Sequence, residues 1–254
     1  MKNIVKERIY KLYSTGALHI TMGTFMTKFV AFFGSIVVVR LLSKEEYGLV
    51  SYIENIYSYA LIFAGFGLSY AILRYLVLVE NKREKKQYFN YIINQSVIRN
   101  FFILMILCIL SQMPIFPGNY KEAKIWLPVL AILLPFQDLV NDDLFTFRAF
   151  FKNKLYACAS FFISSALILG RVIGAFFGGI GGVFFSQVII NFIAGTIGYT
   201  FIRRKLLIQD SVEKLPKKKR QVVDRYSFQY MITNGLWAIF MLNDTFLLGL
   251  LLNS

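Results

Sequence analysis

The chain has 254 residues, 57% of them hydrophobic and only 17% charged, whereas a soluble globular domain is about 45–50% apolar and about 25% charged. The net charge of +14 would suggest a nucleic-acid partner in a soluble protein. A mean hydropathy of +0.57 excludes that reading, and the absence of short alternating segments excludes a transmembrane β-barrel. What remains is an all-α polytopic membrane protein, because the apolar residues fall in blocks of about 20, enough to cross a hydrocarbon core of roughly 30 Å.

In chain order, residues 1–17 place Val5, Ile9, Leu12 and Tyr13 near one helical face with lysines elsewhere, which predicts an amphipathic helix at the membrane surface. Seven spans are predicted at 18–39, 49–79, 92–110, 125–147, 155–177, 183–202 and 228–252. The first follows a basic segment without a small-residue cleavage pattern and reads as a signal anchor. The second is longer than a crossing needs, so it tilts or projects beyond the bilayer. Pro128 and Pro135 fall inside the fourth, where they kink a helix that its neighbours hold together. Between the fifth and sixth, Gly178-Gly179-Ile180-Gly181-Gly182 predicts a tight hairpin. It lacks the lysine and hydroxyl of a phosphate-binding loop. Residues 203–227 form a basic loop, whose Lys217-Lys218-Lys219-Arg220 run suits anionic headgroups.

Twenty of the 28 basic residues lie on the side of the N-terminus, four on the other side, and Lys28, Arg74, Arg99 and Arg171 lie within spans. That asymmetry predicts a cytoplasmic N-terminus. Cys108 and Cys158 both fall in apolar blocks, so no disulfide framework is indicated, and the single histidine, His19, excludes a multi-histidine metal site.

Charge inside a bilayer is expensive and marks candidate function. Lys28, ten residues into its span, shares a small and polar face with Thr21, Thr24, Ala31 and Ser35. The second span carries Glu54, Ser58 and Ser69, the third Gln95 and Arg99, the fifth Ser160, Ser164 and Arg171. The sixth carries Gln187 and Asn191, and the seventh Asn234, Trp237 and Asp244. For the Ser and Gly positions, close helix packing is the better explanation. The fourth span ends in Asp138, Asn141, Asp142 and Asp143, near the basic boundary and within reach of Arg148. Paired aspartates hold magnesium diphosphate in membrane prenyltransferases, but those enzymes carry a second aspartate-rich segment that this sequence lacks. Nucleophile-elbow and zinc-protease patterns are also missing. No catalytic constellation, cofactor or metal is therefore expected.

The stretch Arg40-Leu41-Leu42-Ser43-Lys44-Glu45-Glu46-Tyr47-Gly48 resembles the first external loop of bacterial polysaccharide flippases, members of the multidrug/oligosaccharidyl-lipid/polysaccharide exporter superfamily. The resemblance continues through Gly65-Phe66-Gly67-Leu68, Arg74-Tyr75, Arg148-Ala149, Gly181-Gly182-Val183 and Asn243-Asp244, in order along the chain. It departs from the pattern at Thr245, where a basic residue often stands, and near Phe228, where a proline often opens the seventh span. The resemblance implies twelve to fourteen spans in two bundles, of which 18–202 would be the first and 228–254 the start of a truncated second. It implies export of undecaprenyl-diphosphate-linked oligosaccharide across a bacterial inner membrane, with a polysaccharide polymerase and glycosyltransferases as associates. In that reading Lys28, Arg74, Arg99, Arg171 and Trp237 line a substrate cavity, and Glu54, Asp138 and Asp244 balance charge or couple to an ion. The rivals are a drug/cation antiporter of the same superfamily, a membrane prenyl- or glycosyltransferase, and a truncated product without transport activity.

Overall fold

The computed structural model describes residues 17–114, 116 and 120–252, with side chains described over 21–114, 116 and 120–240. The predicted segment 1–17 lies almost wholly outside the described residues, as does the side chain of Asp244. Within them all regular secondary structure is helical, with no strand among the described residues. Five helical stretches, Thr21–Leu41, Lys44–Leu78, Lys82–Gln112, Ala123–Ala149 and Asn153–Leu206, are long and apolar enough to cross a membrane.

Helix α1 (Ala17–Leu41) lies along the fifth span, where a Cβ on Gly34 would collide with the Ile168 side chain. The Ser43-Lys44-Glu45-Glu46 stretch starts α2 (Lys44–Ile62) as a capping box. Ser43 Oγ accepts from the Glu46 amide at 3.1 Å, and Glu46 Oε2 accepts from the Ser43 amide at 2.8 Å.

The long second span is not a single regular helix. It is broken by a 3-10 turn at Ala64–Gly67, where Gly65, Phe66 and Gly67 all take positive φ, before α3 (Leu68–Leu78) resumes the direction. Two glycines supply the left-handed conformations that side chains resist. Asn81 caps α4 (Lys82–Gln112) by accepting from the Arg83 amide.

The fourth span is α5 (Ala123–Ala131) and α6 (Leu133–Ala149), which part at Ile132. Pro135 has no N–H to return to the Ala131 carbonyl four residues earlier, so the kink falls there. The fifth and sixth spans, together α7 (Asn153–Phe201), are two helices that meet at Gly179, whose φ of 53° and ψ of −135° are non-helical. The Gly174 and Gly182 backbones then face each other so closely that neither position has room for a Cβ.

The basic loop predicted for 203–227 is shorter. A π-helical turn occupies Ile202–Leu206, and α8 (Lys217–Leu252) begins eleven residues before the predicted span. The lysine run continues the helix because lysine and arginine are good helix formers.

Two apolar cores stack along the bundle axis. One gathers Val38, Ile53, Tyr57, Ile103, Leu127, Leu134 and Phe184. The other gathers Leu68, Ile72, Leu76, Phe89, Ile92, Phe147, Ile202 and Val223. Along the helices between them come Gly65, Ser96, Asn100, Asp138, Asp142, Asp143 and Asn191, all buried. The bundle therefore carries a polar layer at mid-depth.

Candidate functional site

The middle layer is organised around Asp138. Ser96 Oγ and Asn100 Nδ2 each donate to its Oδ2 at 2.5 Å, and Ser69 Oγ donates to Oδ1 at 3.1 Å. Asn100 in turn accepts the Gly65 amide on its Oδ1 at 2.7 Å. Buried polar groups away from water must be paired, and this chain of donors ties the break in the second span to α4 and α6. Next to it the Tyr57 hydroxyl donates to Gln137 Oε1 at 2.8 Å.

A cavity of about 340 Å³ opens beside this network, between α2, α3, α6 and α8. Its polar lining comprises Ser58, Ser69, Tyr70, Gln137, Asp138, Asn141, Tyr230 and Asn234. Tyr70 and Tyr230 stack with ring centres 3.9 Å apart. Helix α8 closes the cavity by close approach: a Cβ on Gly67 would come 2.6 Å from the Ser227 carbonyl oxygen, and one on Gly235 would come 2.8 Å from Ile62 Cγ2. The polar face of the seventh span, at Asn234, thus turns toward the first six spans.

The four basic span residues do not meet. Arg99 pairs with Asp224 of α8 at 2.5 Å, and Tyr91 donates to the same carboxylate at 2.7 Å. Arg171 pairs with Glu54 at 3.0 Å, and Gln187 Nε2 donates to Glu54 Oε1 at 3.2 Å, joining the second, fifth and sixth spans. The Arg74 guanidinium lies 4.4 Å from the Tyr226 ring centre. Lys28 is exposed on α1, and Trp237 is 61% exposed on α8. Among the candidates whose side chains are described, Asp138 alone lines the cavity.

The acidic segment lies on α6 inside the bundle. Helix α6 runs on to Ala149, so Asp138, Asp142 and Asp143 are buried inside the bundle. Arg148 does not reach them; it lies over the rings of Phe145 and Tyr156. Among the described residues no cluster of acidic, histidine or cysteine side chains is arranged to hold a metal ion.

The basic end is held by ionic and carbonyl contacts. Lys86 Nζ donates to the carbonyls of Ile208 and Asp210, Arg83 pairs with Asp210 at 3.6 Å, and Lys219 pairs with Glu84 at 2.5 Å. The hydrogen bond to Glu84 holds the Lys219 ammonium above its ordinary range.

Sequence reading missed Asn100, Ser96, Tyr70 and Tyr230. Asn100 follows Arg99 directly, and charge draws attention first; a buried amide four residues after a buried serine was the available signal. Tyrosines are so frequent here, 15 in the chain, that composition could not single out two.

Taken together, the fold and its middle layer define a helical integral-membrane protein with a polar cavity deep in its bundle. A model of the polysaccharide biosynthesis protein family matches residues 14–254, and the chain belongs to that family. No curated protein and no solved structure matches.

Proposed function

We propose that the protein carries an undecaprenyl-diphosphate-linked oligosaccharide repeat unit from the inner to the outer leaflet, and that it is a transporter rather than an enzyme. The observation that carries this reading is the cavity beside Asp138. Amides and hydroxyls from Ser58, Ser69, Tyr70, Gln137, Asn141, Tyr230 and Asn234 supply the donors and acceptors that sugar hydroxyls need. Such groups are costly at this depth unless something polar uses them. Its volume lies at the lower end of the roughly 300–1,000 Å³ typical of ligand sites, the size of a sugar residue or two rather than a whole repeat unit.

The lipid's diphosphate requires positive charge, which Lys28 on the exposed side of α1 and the exposed Arg203, Arg204 and Lys205 offer. The basic asymmetry supports placing the end that carries Arg203, Arg204 and Lys205 in the cytoplasm of a bacterial cell with an inner membrane, the side on which glycosyltransferases would deliver the repeat unit. A polysaccharide polymerase would receive it on the other side. Nucleic acid, cofactors and metals have no part in this reading. Transport is favoured over catalysis because both oxygens of Asp138 are taken up by three buried donors, leaving no free acid–base pair in the cavity.

Filling the cavity tests this. In a strain whose own exporter is deleted, Asn234→Trp should reduce surface polysaccharide by at least about tenfold at unchanged membrane protein level. Phe177→Trp, on an 81% exposed surface position, should leave it intact. Normal surface polysaccharide with the cavity filled would refute the reading.

A further inference from the structure

The basic end of the bundle carries a second cleft, separate from the mid-depth cavity. It measures about 370 Å³ and lies between α4 and the segment that leads into α8. One wall is a single helix face. Gln87, Asn90, Tyr91, Asn94 and Gln95 follow at the spacing that sets side chains one above another along α4. The other wall is residues 212–215 with Arg220. Contacts outside the cleft fix both walls. Lys86 Nζ donates to the Ile208 and Asp210 carbonyls at 2.9 and 2.7 Å, and Leu215 is packed into the second apolar core. Arg220 Nε donates to the Leu215 carbonyl, and the Tyr91 hydroxyl donates to Asp224. A cleft held in this way is built before a ligand arrives, which keeps the ordering cost of binding small.

The four amides are the part that packing does not explain. Among the described residues none of them donates to or accepts from another group. One hydrated amide at a membrane surface carries no message. Four along one wall do, because asparagine is a poor helix former and Asn90 and Asn94 stand in mid-helix. Lysine or glutamate there would favour both helix and solubility. An amide offers two donors and one acceptor, so the row matches neighbouring sugar hydroxyls, each of which donates and accepts. Charge narrows the class further. Lys214 and Arg220 bring two cations, and Glu213 offsets one. With Nε engaged by Leu215, the Nη groups of Arg220 form a fork suited to an oxyanion. That balance suits one acidic group rather than several.

We propose that this cleft binds a saccharide bearing a single acidic group, a carboxylate or a phosphate. Two sources share that chemistry, a sugar displayed on the membrane surface and a soluble sugar acid. The site goes beyond the transport reading and stands without it, since none of its residues lines the mid-depth cavity.

The test uses the full chain, purified into nanodiscs, and saturation-transfer NMR. Sodium glucuronate and sodium galacturonate are the probes, with glucose and inorganic phosphate for comparison. At least one uronate should bind about tenfold or more tightly than glucose or phosphate, since sugar hydroxyls and acid are read together. Gln87→Leu combined with Asn90→Leu should weaken that binding by about tenfold or more, as lost hydrogen bonds do. Leucine is a good helix former, and an unchanged midpoint of thermal unfolding verifies the fold. Lys214→Gln, at an exposed position, should cut the preference for uronate over glucose by about threefold or more. Asn234→Trp, which fills the mid-depth cavity, should change none of this. Dodecyl glucuronide in the nanodisc separates the sources. Binding about tenfold or more tighter than that of free glucuronate marks a membrane-displayed sugar, through its raised local concentration; equal binding marks a soluble one, and either supports the cleft. Failure of both uronates to bind, binding indifferent to the double leucine variant and to Lys214→Gln, or binding abolished by Asn234→Trp would each overturn the proposal. Surface polysaccharide is not measured, so failure here is separate from failure of the cavity-filling test.

Discussion

Replacing Asn100 by Leu removes the side chain that joins the break in the second span to α6. The substitution keeps the volume nearly constant and deletes two short hydrogen bonds, one to Asp138 at 2.5 Å and one from the Gly65 amide at 2.7 Å. A side-chain hydrogen bond inside a membrane protein contributes about 0.6 kcal/mol on average and up to about 1.7. The Gly65 N–H adds more, because a buried donor left unpaired costs about 1–3 kcal/mol. Asp138 keeps its other two donors, so it adds little. The total comes to about 3 kcal/mol. For a chain of this size each kcal/mol corresponds to about 2–4 °C, giving a fall of about 6–12 °C in the midpoint of thermal unfolding of the detergent-purified protein. Ser96→Ala, which removes one of two donors to the same Asp138 oxygen, should lower it by only about 2–4 °C. A fall below about 2 °C for Asn100→Leu would show that the middle layer does not hold the bundle together.

Three further outcomes follow from the contacts around α8 and from the charge distribution. Gly67→Ala would bring a methyl group to 2.6 Å from the Ser227 carbonyl at a positive φ, so α8 should be displaced, and a disulfide between cysteines at Tyr70 and Tyr230 should form less completely than in the parent. Arg99→Ala should leave Asp224 with only Tyr91, increasing proteolysis of the segment 207–216; Arg99→Lys should restore most of the protection. In intact cells an impermeant thiol reagent should label a cysteine at Gly179 and spare cysteines at Asn81, Asn153 and Ser211, and the reverse pattern would invert the orientation read from the basic residues.

The spans were legible because hydrophobic length is a property of the local sequence. Predicted boundaries at 18–39 and 92–110 sit within helices Ala17–Leu41 and Lys82–Gln112, and 125–147 sits within the kinked stretch Ala123–Ala149. The hairpin at Gly178–Gly182 was legible because five residues with four glycines leave few other conformations. The break at Gly65–Gly67 was harder to see, since glycine in a membrane span serves packing as often as bending. The middle layer was visible only in part. Asp138 and Ser69 stood out as polar residues in apolar blocks, yet the three donors to Asp138 lie 38, 42 and 69 residues away in the chain. Pairing of that kind depends on the rotation of each helix about its axis, which a period of 3.6 residues leaves open until packing fixes it. The basic residues show the same limit: Arg99 and Arg171 looked free to meet an anion, but Asp224 and Glu54 engage them.

The reversal at Gly179 bears on how the chain enters the membrane. The fifth and sixth spans are two helices joined directly at the non-helical Gly179, an arrangement suited to entering the membrane together as a helical hairpin. A lone fifth span would have to carry Arg171 into lipid, and an arginine at the centre of an inserting helix costs about 2.5–3.5 kcal/mol. As a hairpin, two apolar segments share that cost, and the second span, made earlier, already holds Glu54 in the bilayer to receive the guanidinium. The order of synthesis thus supplies the acid before the base. Moving Glu54 to a later span would therefore be expected to harm biogenesis even where the finished ion pair could still form.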